Sequence, residues 1–110
     1  MEKFKKGAVL ITGTTSGVGL NTLKPLIEFG WDIIAVNRSS KRAIDEANKI
    51  FKNNEIESIN FIEIDLSDLN SVRDGAKEIA TRFGNVLKVL ICNAAVYKPR
   101  LKRPDRSPQG

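Results

Sequence analysis

Four short polar clusters hold the residues of this 110-residue chain that could do chemistry, and each stands directly after an apolar run. Thr12-Gly13-Thr14-Thr15-Ser16-Gly17-Val18-Gly19 follows Ala8-Val9-Leu10-Ile11, and Asn37-Arg38 follows Ile33-Ile34-Ala35-Val36. Asp65-Leu66 and Asn93-Ala94-Ala95 end two further runs. The first cluster is suited to phosphate. Glycines at 13, 17 and 19 let backbone N–H groups come close to an anion, and a helix starting there points its positive end at the same spot. Thr14, Thr15 and Ser16 add hydroxyl donors. The spacing is Gly-x-x-x-Gly-x-Gly, not Gly-x-Gly-x-x-Gly, and no Lys-Ser/Thr pair follows as a P-loop requires. A tight strand-to-helix turn with no ligand is the alternative that this motif alone leaves open.

The other clusters extend the nucleotide reading. An acidic residue about twenty positions past the glycine turn would accept hydrogen bonds from an NAD ribose. Asn37 and Arg38 stand there instead, with Lys41 and Arg42 in the next turn. A guanidinium binds a 2′-phosphate that a carboxylate would repel, which implies NADP(H). Taken alone, Arg38 could equally be a solvated side chain after a strand. Asp65 can accept the exocyclic amine of adenine while Leu66 offers its N–H, or Asp65 can serve helix capping upstream of Ser67. The small pair Ala94-Ala95 lets ribose and nicotinamide lie against the backbone, and Asn93 could instead only tie adjacent strands. The expected cofactor set is therefore Gly13, Thr15, Ser16, Gly17, Val18, Gly19, Asn37, Arg38, Arg42, Asp65, Leu66, Asn93, Ala94 and Ala95. No residue is assigned a catalytic or metal-binding role. Cys92 reads as a buried small hydrophobe, because the chain has no histidine and no evident base to activate its thiol.

Strand and helix patterns alternate along the chain, which predicts parallel β-α-β units in an α/β, Rossmann-like doubly wound sheet. Strands are expected at 8–12, 32–37, 59–64 and 87–92. Helices are expected at 17–29, closed by Gly30, at 40–52, and at 68–83, N-capped by Ser67 and closed by Gly84. The inward faces are Leu20, Leu23, Leu26 and Ile27; then Ala43, Ile44, Ala47, Ile50 and Phe51; then Leu69, Val72, Ala76, Ile79, Ala80 and Phe83. Pro25 interrupts the first helix and should remove one hydrogen bond. Ligands bind such sheets beyond the carboxyl ends of the strands, and all four clusters fall on that edge.

Composition narrows the class. Residues 1–97 make one cofactor-binding portion, and 98–110 form a basic, proline-containing loop. The net charge is +5, of which +4 lies in the last fifteen residues. Such a tail could meet nucleic acid or an anionic membrane, but no aromatic residues interleave the charges, and a solvated loop of a longer protein is the favoured reading. No nucleic-acid partner is expected. One cysteine and no histidine exclude an internal disulfide and argue against zinc, so a reducing, cytoplasmic setting fits. No apolar run nears the ~20 residues of a membrane span, and the start of the chain is too short in apolar residues for a signal peptide.

These motifs together resemble the short-chain dehydrogenase/reductase family. Its Thr-Gly-x-x-x-Gly-x-Gly turn matches Thr12 to Gly19, its Asp-Leu pair matches Asp65-Leu66, and its Asn-Asn-Ala-Gly segment corresponds to Cys92-Asn93-Ala94-Ala95 with two departures. The run from Leu90 through Tyr97-Lys98-Pro99 to Gly110, with Asp65 to Arg73, is similar to the light-dependent NADPH:protochlorophyllide oxidoreductase branch in its cyanobacterial form. The resemblance implies NADPH as cofactor and light-driven reduction of the C17–C18 double bond of protochlorophyllide to chlorophyllide. It also implies peripheral association with photosynthetic membranes as an option for the complete enzyme. The family's Tyr-x-x-x-Lys motif is absent, since Tyr97 is the only tyrosine and residue 101 is leucine. The chain is therefore expected to be an N-terminal fragment, inactive alone. A different NADPH-dependent short-chain reductase and a non-catalytic NADPH-binding module are the alternatives.

Overall fold

The structure is a computed structural model that describes residues 4–15 and 17–92. Ser16, Asn93, Ala94, Ala95 and the basic segment 98–110 lie outside the described residues. The elements run β1 (Ala8–Thr12), α1 (Gly17–Glu28), β2 (Asp32–Asn37), α2 (Ser40–Ile50), α3 (Asn53–Ile56), β3 (Ile59–Glu63), α4 (Leu69–Phe83) and β4 (Leu87–Cys92). Four parallel strands form one sheet in the order β3-β2-β1-β4, as the alternating pattern requires. The chain builds outward from β1 to β3, then crosses back to place β4 on the other side of β1. Strand order thus reverses between β1 and β4, and the carboxyl ends at such a reversal are where open α/β sheets bind ligands.

Both faces of the sheet are covered, which is why β1 and β2 read as continuous apolar runs and not as alternating ones. On one face Val9, Ile11, Ile33 and Ala35 pack against Leu20 and Leu23 of α1 and Ala47 and Phe51 of the α2 region. On the other, Ala8, Leu10, Ile34, Val36 and Ile62 pack against Ile79 and Phe83 of α4. Ile11, Leu23, Ile33 and Ile34 are completely buried, and each contributes about 1.5–3 kcal/mol on removal from water.

The helices depart from expectation in instructive ways. α2 ends at Ile50, and Phe51 turns extended to cap it while sinking its ring into the core. A separate short helix, α3, then forms, opened by a capping box in which the Glu55 carboxylate accepts the Lys52 N–H at 2.8 Å. The N-cap of α4 is Asp68, not Ser67: its carboxylate accepts the N–H groups of Asn70 and Ser71. α4 also presents a narrower face than its apolar residues suggest. Gly75, Ile79 and Phe83 are its buried residues, whereas Leu69, Ala76 and Ala80 are exposed. Gly75 sets that rotation, because any Cβ there would overlap the Ile64 side chain. Ile50, expected inward, is exposed as well.

Candidate cofactor site

The glycine turn is fastened to β2 from three directions. Past Thr12 the chain takes a left-handed conformation at Gly13 (φ +72°), which L side chains rarely adopt. The Gly13 N–H donates to the Val36 carbonyl at 3.0 Å. The Thr14 N–H donates to Asn37 Oδ1 at 2.6 Å, and Asn37 Nδ2 donates to Thr14 Oγ1, also at 2.6 Å. Thr14 and Asn37 are only 1% and 5% exposed, so this pair is shielded from competing water. α1 then begins so close to the turn that a Cβ at Gly19 would overlap the Gly13 carbonyl oxygen.

This fastening reassigns two expected contacts. Gly13 and Thr14 have their amides engaged within the fold, so neither presents an N–H to an anion. The N–H groups in the opening turn of α1 are the ones next to the turn that lack intrahelical acceptors. Gly13 contributes its φ, and Gly19 contributes the close approach of helix to turn. Asn37, expected at the ribose, has both polar atoms of its side chain turned back onto Thr14. By type Thr14 reads only as a hydroxyl donor, and Thr-after-Gly next to a strand-ending Asn is the sequence signal that pairs them.

Arg38 is exposed immediately after β2. Ser39 then caps α2, its Oγ accepting the Arg42 N–H at 3.2 Å, so the positive end of α2 opens beside Arg38 and Arg42. Lys41 is directed elsewhere, pairing with Asp45 at 3.1 Å. A feature that sequence reasoning missed is Glu63, whose carboxylate accepts the Ser40 N–H at 3.0 Å and sets a negative charge on that same helix end. Glu63 is the register partner of Asn37, which is how parallel pairing could have revealed it.

Asp65 follows β3 on the same edge. Its Oδ1 accepts both the Ser67 hydroxyl, at 2.6 Å, and the Ser67 N–H, at 3.0 Å. Those two bonds, hydroxyl first, hold the Asp65 carboxyl below its ordinary value, with the Arg38 charge lowering it further. Oδ2 has no hydrogen bond among the described residues. Leu66, 37% exposed, supplies apolar surface next to it. Cys92, expected buried, is exposed, because β4 has no neighbour on its outer side among the described residues.

The residues present fit a phosphorylated dinucleotide. The opening turn of α1 stands at the centre of the sheet edge, Arg38 and the capped start of α2 lie to one side, and Asp65 with Leu66 lies beyond them. The sheet is Rossmann-like, and the chain matches the short chain dehydrogenase family over residues 7–107. It belongs to that family of oxidoreductases, whose membership implies a nicotinamide cofactor. Among individual proteins, it is 40% identical over 97% of its length to the chloroplastic protochlorophyllide reductase of Cucumis sativus, covering 26% of that protein. The chloroplastic protochlorophyllide reductase of Daucus carota is also 40% identical over 97% of this chain, with 26% of the relative covered. The chain thus spans about a quarter of the length of the curated relatives it matches. Menthone neomenthol reductase from Mentha piperita shares the fold with a TM-score of 0.70 and 28% identity, over 82% of this chain and 32% of that one. Among the described residues, no helix is long and apolar enough to cross a membrane.

Proposed function

We propose that this chain is the NADPH-binding part of a light-dependent protochlorophyllide reductase. The observation that carries the cofactor is the placement of Arg38, Arg42 and the capped start of α2 on the same sheet edge as the glycine turn, where a dinucleotide's 2′-phosphate would lie. The pigment rests on the relatives, which are named as protochlorophyllide reductases. The first turn of α1 takes the pyrophosphate, Arg38 and Arg42 take the 2′-phosphate, and Asp65 with Leu66 takes the adenine. Ser16, Asn93, Ala94 and Ala95 complete the proposed contacts from the sequence. Bound NADPH would supply a hydride to the C17–C18 double bond of the pigment. This chain's own part is to hold the dinucleotide and fix its register on the sheet. With no Tyr-x-x-x-Lys in its sequence, the chain is assigned binding without turnover.

The test has two arms. Fluorescence titration of the purified chain with NADPH should saturate, with NADH bound at least about tenfold more weakly, a gap of ~1.4 kcal/mol. Illumination with NADPH and protochlorophyllide should leave the pigment spectrum unchanged. A folded sample that binds no dinucleotide would remove the reading, and chlorophyllide formation would remove the binding-only assignment. A different NADPH-dependent reductase of this family is favoured by the likeness to menthone neomenthol reductase, and affinity for the pigment separates the two.

A further inference from the structure

We infer that Asn37 is a positioning residue that fixes the pyrophosphate turn on β2, and that it does not itself read the ribose. The inference rests on the NADPH reading above and assigns Asn37 a different part in it. Three hydrogen bonds join two consecutive residues of the turn to two consecutive residues of β2. Gly13 N–H reaches the Val36 carbonyl, Thr14 N–H reaches Asn37 Oδ1, and Asn37 Nδ2 reaches Thr14 Oγ1. The amide side chain lies in the fold with a donor and an acceptor both engaged, and burial makes those bonds costly to exchange for a ligand's. The turn leads directly into α1, so whatever fixes Thr14 to Asn37 also fixes where the opening turn of α1 stands against the sheet. A contact to the ribose 2′-hydroxyl would serve NADH alone, whereas a fixed pyrophosphate turn serves both dinucleotides.

That difference can be measured. Asn37→Ala should weaken NADPH and NADH together, each by about fivefold to thirtyfold, leaving their ratio within about twofold of wild type. Thr14→Val, which removes only the hydroxyl, should do the same to a smaller degree. Its effect should largely vanish when combined with Asn37→Ala, because the two residues form one unit. Asn37→Asp can accept both the Thr14 N–H and the Thr14 hydroxyl, whose proton rotates to suit. It should restore NADH affinity while depressing NADPH through the added negative charge. Amide hydrogen exchange on the ligand-free chain gives a readout that needs no cofactor: Thr14 should exchange faster in Asn37→Ala, with the centres of β1 and β2 unchanged. A change in the NADPH/NADH ratio in Asn37→Ala, or unaltered affinity for both, would overturn the inference while leaving the cofactor reading intact. Failure of the wild-type chain to bind either dinucleotide would take down both. Loss of protection throughout β1 and β2 would show a purely structural role and overturn the inference as well.

Discussion

Arg38→Ala is the substitution whose effect the structure specifies most closely. The guanidinium is exposed at the end of β2, next to the N-terminus of α2, and near enough to Asp65 to lower that carboxyl. A unit charge pair at ~4 Å is worth about 1 kcal/mol in bulk water and about 4 kcal/mol at an effective dielectric of ~20. An exposed group falls toward the lower end, and Asp65 draws on the same field. The α2 N-terminus and Arg42 remain in the variant, so they retain part of the phosphate affinity. Losing Arg38 should then cost about 1.5–3 kcal/mol of NADPH binding, or roughly 10- to 150-fold in Kd. NADH, which has no 2′-phosphate, should change by less than about twofold. Calorimetric titrations with both dinucleotides at two salt concentrations provide the assay, and the NADPH deficit should shrink at high salt, where exposed charges are screened. Equal losses for NADH and NADPH, or an NADPH Kd within about threefold of wild type, would refute the placement of the phosphate at Arg38.

Other consequences follow from single residues. Gly19→Ala drives a methyl into the Gly13 carbonyl, so it should lower stability by about 1–3 kcal/mol and reduce dinucleotide binding, read by thermal melting and titration. Glu63→Gln keeps an acceptor for the Ser40 N–H but removes the negative charge on α2. It should tighten NADPH about twofold to fivefold and leave NADH unchanged, since a charge near a helix terminus is worth about 0.3–1 kcal/mol. Pro25→Ala restores a helical N–H at an exposed site in α1 and should raise the melting temperature. Glu55 is held below its ordinary value, chiefly by the Lys52 N–H and also by Lys24 at 3.4 Å. A depressed carboxyl stabilises the fold above its unfolded value and stops doing so as pH falls through the folded one. Glu55→Gln should therefore lower the melting temperature at neutral pH, and the difference should disappear at the acid end of the carboxylate range.

The strands were legible because this sheet is buried on both sides. Ile33-Ile34-Ala35-Val36 carries no polar residue, and the buried Asp32 and Asn37 mark its two ends. For the same reason the glycine turn, Asn37-Arg38 and Asp65-Leu66 each follow the carboxyl end of a parallel strand. What could not be read depended on contacts between distant segments. Ser67 looks like a cap by type, but Asp65 two residues earlier captures its hydroxyl, and Asp68 takes the helix end. The face of α4 follows from the missing side chain at Gly75 against Ile64, not from the tally of apolar residues along the helix. Asn37 illustrates the point within the site: its position suggested a ligand contact, whereas its partner lies 23 residues earlier in the turn. A periodicity argument sees neighbours along the chain, and these are neighbours across it.

The most direct test follows backbone amide shifts of the isotopically labelled chain as NADPH is added. The largest changes should fall on the opening turn of α1 and on Arg38. Gly30 and Gly84, at the opposite ends of the strands, should not move. Shifts centred on that far edge, or no shifts in a folded sample, would contradict a dinucleotide seated between α1 and the start of α2.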